Sequence, residues 1–132
     1  MDEYTAFVDD YRGAWEKAVG ANDIAPLTRF FHVPYLAVGA DGAATLVKST
    51  TEVDDFNRVR LALFLKDQAT RWRFRGCDAM TLGAQGAFVT VNWEGHRADG
   101  SVARAWRHYY NLMRGPSGLK ILVSTFSAGS HG

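Results

Sequence analysis

Asp78 and His108 are the side chains of this sequence best suited to moving a proton. A carboxylate in apolar surroundings has its pKa raised and exchanges protons near neutrality. An imidazole is its natural partner for general acid–base work. Tyr110, or alternatively Tyr35, offers a phenol O–H to a developing oxyanion. Trp93 and Trp106 would wall a flat apolar slot for a ring-shaped ligand, and His32 and Tyr35 would donate to a ligand carbonyl from its rim. The chemistry that fits is proton transfer, dehydration or cyclisation on a hydrophobic cyclic molecule, with no cofactor.

Such a set needs a scaffold that brings distant residues together. Tyr4, Phe7, Val8, Tyr11, Trp15, Ala18 and Val19 recur at helical spacing, with Gly20 as a stop. Asp23 caps a short helix over Ile24 to Phe31, with Pro26 in its first turn. Val33 to Val38 reads as a strand with Pro34 at its start or on an edge, and Asp41-Gly42 turns it into Ala43 to Lys48. Ser49 and Glu52 form a capping box that opens a third helix, whose apolar face is Val53, Phe56, Val59, Leu63 and Lys66. From Thr70 the period changes to two. Four strands follow, Thr70–Leu82, Ala87–Arg97, Val102–Arg114 and Leu119–Ser127, joined by Gly-, Pro- and Asp-containing turns.

Tight turns fix register, and opposed residues of a hairpin share a face. Pairing Leu82 with Ala87, Arg97 with Val102 and Arg114 with Leu119 yields the row Asp78, Val91, His108, Thr125. Neighbouring rows are Gly76, Trp93, Trp106, Ser127 and Met80, Val89, Tyr110, Val123. This apolar side should face the helices. Arg73, Arg75, Asn92, Glu94, Arg107 and Cys77 fall on the other side. A slip of one residue inverts a strand's facing, and bulges at Gly76 or Gly95 would do so.

Each assignment has a plainer alternative. Asp78 and His108 could be a buried pair that ties strands together, or a bulge could turn Asp78 outward. His32 could be a surface histidine, and Tyr35, Trp93 and Trp106 could be core. Arg71, Arg73 and Arg75 alternate on the outer face, where Arg75 pairs across strands with Glu94.

Composition bounds the partners. The chain of 132 residues, 47% hydrophobic, fits one domain spanning 1–132, with 128–132 as a flexible tail from which His131 is excluded as a site residue. Fifteen basic and 14 acidic residues give a net charge of +1, which offers no reason to expect nucleic acid or an anionic membrane. No apolar run is long enough to span a bilayer and no secretory signal opens the chain. A single cysteine fits a reducing, cytoplasmic setting, and no Cys/His spacing suggests a metal.

The order helix, short helix, hairpin, capped helix and four-stranded meander resembles the nuclear transport factor 2-like superfamily, in its SnoaL-like and ketosteroid isomerase-like branch. The segment Phe30 to Gly42 and the closing hairpin, Trp106–Arg114 with Gly118 to Ile121, carry the likeness. The resemblance implies an α+β cone: three helices of the N-terminal half packed on a curved antiparallel sheet, with a pocket between them. It further implies either a small-molecule isomerase, dehydratase or cyclase, or a non-catalytic binding or assembly domain. Homodimers are frequent in the superfamily, and Thr90, Asn92, Tyr109, Ser124 and Phe126 on the outer face would form such an interface.

Overall fold

The computed structural model describes residues 2–128. Helix α1, Glu3–Ala21, starts where the Asp2 side chain accepts from Thr5 N–H and ends at Asn22, which adopts a left-handed conformation. Gly20 therefore lies inside the helix and Asn22 is the stop. A 3-10 turn, Ala25–Phe30, leads into β1, Phe31–Val38, and a loop through Asp41 and Gly42 leads to β2, Ala44–Val47. Helix α2, Thr50–Asp67, is capped by Ser49 as the capping box requires. The meander follows: β3, Arg71–Leu82; β4, Gly86–His96; β5, Val102–Gly115; β6, Gly118–Ala128. Since Ala128 still pairs with Trp106, the expected tail begins no earlier than residue 129; the rest of it, with His131, lies outside the described residues.

The strand order is β2-β1-β6-β5-β4-β3, with every neighbour antiparallel except β1 beside β6. The sheet is thus mixed, and β1 is an interior strand. Pro34 is tolerated there because the β1–β6 register is broken between Phe31 and Leu36. The helices cover one face. Tyr11, Trp15, Phe30 and Phe64 pack there against Trp72, Val89, Trp93, Trp106 and Leu112, all buried.

Register decides which chemistry reaches that face. The β4–β5 pairing is as expected, with Trp93 opposite Trp106 and Val91 opposite His108. The β3–β4 pairing is not. Arg75 and Gly76 together oppose Asn92, whose amide donates to the Arg75 carbonyl, and Gly76 has φ of 89°. Trp72 and Phe74 face the helices before this bulge. After it, Cys77 takes the inward position opposite Val91, and Asp78, opposite Thr90, is exposed on the outer face. Met80 is exposed likewise. A second bulge at Leu122 reverses β6, so Ser124 and Phe126 turn inward in place of Thr125 and Ser127. Those two residues leave the expected outer interface, while Thr90, Asn92 and Tyr109 remain on it.

Helix α2 departs from its hydropathy pattern. Its buried side is Val53, Asn57, Leu61 and Phe64, whereas Val59 and Leu63 are exposed. The inward stripe therefore carries two polar residues, Asn57 and the half-buried Arg60, that hydropathy assigns to solvent.

Candidate functional site

A recess of about 460 Å³ opens between α2 and the sheet. Phe56, Leu63 and Phe64 form its helical wall; Ala37 and Val38 of β1 and Phe126 of β6 form its floor. Trp106, His108 and Ser124 supply its inner polar atoms, Arg60 reaches in from α2, and Asp41 and Arg104 stand at its edge. Arg60, Phe64 and Trp106 also border a small inner chamber enclosed by Tyr11, Trp15, Trp93 and Tyr110.

His108 is buried, at 4% exposure. Its Nδ1 lies 3.0 Å from the indole Nε1 of Trp106. An indole N–H only donates, so Nδ1 accepts and the neutral ring carries its proton on Nε2. Burial holds the imidazole pKa well below its usual 6.5, and the Arg60 charge pushes it further down. Nε2–H makes no hydrogen bond among the described residues and is not sealed off, so it presents a donor to the recess. The ring stacks on Tyr110, whose hydroxyl accepts from Trp93 Nε1 at 2.9 Å. Burial also drives the Tyr110 phenol well above its ordinary pKa, keeping it protonated.

Arg60 is the functional candidate that sequence reasoning missed. Its guanidinium lies over the rings of Trp15 and Phe56, at 5.4 and 5.6 Å. Among the described residues it joins no ion pair, whereas nearby Arg104 is held by Asp67 at 2.7 Å. Burial works against its charge, but a guanidinium's ordinary pKa lies so far above neutrality that it stays charged. The Tyr11 hydroxyl, although buried beside it, has no aligned partner. The signal was present in spacing: Arg60 follows Phe56 by four residues and precedes Phe64 by four, which places it on their side of the helix.

A family model described as NTF2-like protein (DUF6841) matches residues 2–128. The chain belongs to this NTF2-like family. Similar solved structures share the fold at low identity. An NTF-2 like protein of unknown function from Pseudomonas aeruginosa has a TM-score of 0.71 at 15% identity, over 96% of this chain and 98% of that one. A ketosteroid isomerase-like protein from Erwinia carotovora atroseptica has 0.61 at 19%, over 99% and 100%. An NTF-2 like protein of unknown function from Shewanella oneidensis has 0.63 at 13%, over 93% and 98%. No curated protein matches the chain.

Within this NTF2-like domain the sequence-derived residues separate. His108 and Trp106 line the recess, and Tyr110 and Trp93 enclose the chamber behind it. Tyr35 is not at a rim: it is buried at 1% exposure, bonded to the Ser124 hydroxyl, and burial pushes its phenol to about 12. His32 lies toward the other end of β1. It donates from Nδ1 to the Pro34 carbonyl at 2.8 Å and borders a different recess, of about 650 Å³, with Arg29 and Lys120. Lys120 there donates to the Arg29 carbonyl. Asp78 meets neither hollow. The Gly76 bulge that turns it outward separates it from His108, and the proposed proton-transfer pair is not formed. No cluster of His, Cys, Asp or Glu among the described residues is arranged to hold a metal.

Proposed function

We propose that this NTF2-like protein binds a hydrophobic, ring-containing small molecule in the recess between α2 and the sheet, in the manner of a SnoaL-like or ketosteroid isomerase-like domain. One observation carries the reading: an apolar hollow ends in the His108 Nε2–H and the Arg60 guanidinium, for which the described residues offer no carboxylate. Phe56, Leu63, Phe64 and Phe126 provide apolar surface for a ring. The His108 Nε2–H is poised to donate to an oxygen on it, with the protonated Tyr110 behind. An isomerase, dehydratase or cyclase would use the same donors to stabilise an oxyanion but also needs a base. The carboxylate that sequence reasoning assigned to that task, Asp78, is on the opposite face, so binding is favoured over turnover. We further infer a cytoplasmic homodimer through the outer sheet face, where Phe88 and Tyr109 stack at 5.9 Å beside Thr90 and Asn92. No helix among the described residues is long and apolar enough to cross a membrane.

The test is a titration with neutral bicyclic aromatics, 2-naphthol first, followed by the amide resonances and the indole N–H of Trp106. Binding in the recess moves the Trp106 indole signal and those of Phe126 and Ser124. Saturating shifts confined to Asp78, Thr90 and Asn92, or none at millimolar ligand, would overturn the reading.

A further inference from the structure

Arg60 lines the recess at the point where it meets the inner chamber. It brings a permanent positive charge that no carboxylate among the described residues pairs with. A half-buried charge in apolar surroundings is costly unless something neutralises it. His108 adds a neutral N–H donor that is also unpartnered, and its ring is close enough for the Arg60 charge to act on it. The buried Tyr11 hydroxyl turns its lone pairs to the same guanidinium from the inner chamber. Arg60 and His108 therefore bring two kinds of donor to the inner end of the recess. The one carboxylate in its lining, Asp41, sits in the β1–β2 loop and accepts from Ala43 N–H at 3.0 Å.

We propose that the ligand is a carboxylic acid, an aromatic or alicyclic monocarboxylate that enters acid-first, its carboxylate on the Arg60 guanidinium and the His108 Nε2–H. This rests on the binding role proposed above and adds the ligand's charge and orientation. A guanidinium presents its donors as a planar fork that matches two carboxylate oxygens. The ring then remains against Phe56, Leu63 and Phe126, on the side open to solvent. A neutral ring compound would satisfy the apolar wall and leave the charge unpaired.

Isothermal titration of 2-naphthoate and of its neutral amide, 2-naphthamide, separates the two proposals. The acid is expected to bind the parent protein at least about tenfold tighter than the amide, as a charge-assisted contact requires. In Arg60→Met the two should bind within about threefold of each other; Arg60→Lys, which keeps the charge but not the fork, should retain part of the preference. Equal affinities in the parent protein, or a preference that survives Arg60→Met, would overturn the carboxylate inference and leave the binding role standing. Failure of both compounds to bind would remove both. The parent-protein comparison decides even if a variant does not fold.

Discussion

Replacing His108 by Gln should flatten the acid limb of this protein's stability curve. The imidazole is neutral and buried in the fold, with its pKa held well below 6.5 by burial and then by Arg60. The unfolded chain has the ordinary value, so below about pH 6.5 the unfolded state binds the extra proton. Stability then rises with pH between the folded and unfolded pKa values and is lost as pH falls through that window. The limiting slope is about 1.4 kcal/mol per pH unit. That slope caps the loss between pH 7 and pH 5 at about 2 kcal/mol. For a domain of this size that is roughly 7 °C in melting temperature. Glutamine retains an acceptor for the Trp106 indole N–H and does not titrate, so the difference between parent and variant isolates this one group from the carboxylates. The assay is a pair of thermal or urea melts at half-unit pH steps. Parallel curves for the two proteins would refute the reasoning and show that the imidazole already protonates in the folded state.

Three other substitutions probe the same architecture. Asp78→Asn should alter stability by no more than about 0.5 kcal/mol in urea melts, because the carboxylate is exposed on the outer face; a loss of several kcal/mol would put it back on the inner face. Tyr35→Phe strands the buried Ser124 hydroxyl and should cost roughly 1–2 kcal/mol by the same measurement, and an unchanged midpoint would mean that the contact is energetically idle. Asn57 is fully buried with neither amide atom partnered among the described residues, so Asn57→Leu should raise stability by about 1–2 kcal/mol, and a fall would show the amide to be satisfied.

The sequence disclosed the fold because its signals were local and mutually consistent. The capping box at Ser49, the helical stripe from Tyr4 to Val19 and the period-two segments after Thr70 each specify one element. The site was less legible for two physical reasons. Facing along a strand is a parity, and an extra residue at Gly76 or Leu122 reverses everything beyond it while leaving composition and alternation intact. That is how Asp78 and Cys77 exchanged sides, and why Phe126 lines the recess and not an interface. On α2, an apolar-stripe search selects against charge, so it passed over Arg60, the one cation that the helix turns inward. His108, Trp106 and Trp93 survived because the β4–β5 hairpin carries no interruption between them.

The parallel seam between β1 and β6 bears on how the chain reaches its folded state. Strands β3 to β6 close through turns of a few residues, and α1 and α2 are local. Pairing Leu36 with Val123, by contrast, must close a loop of about two-thirds of the chain. Contacts of such sequence separation bear their loop-closure entropy before any reward and form late. Ala37 and Val38 come from β1, Ser124 and Phe126 from β6, and they lie side by side along the same hollow. The cavity is therefore expected to be among the last features completed in folding and among the first to open under denaturant. A bound molecule that bridges those two strands would act as a clasp, slowing the chain's unfolding while leaving the rate of meander formation untouched.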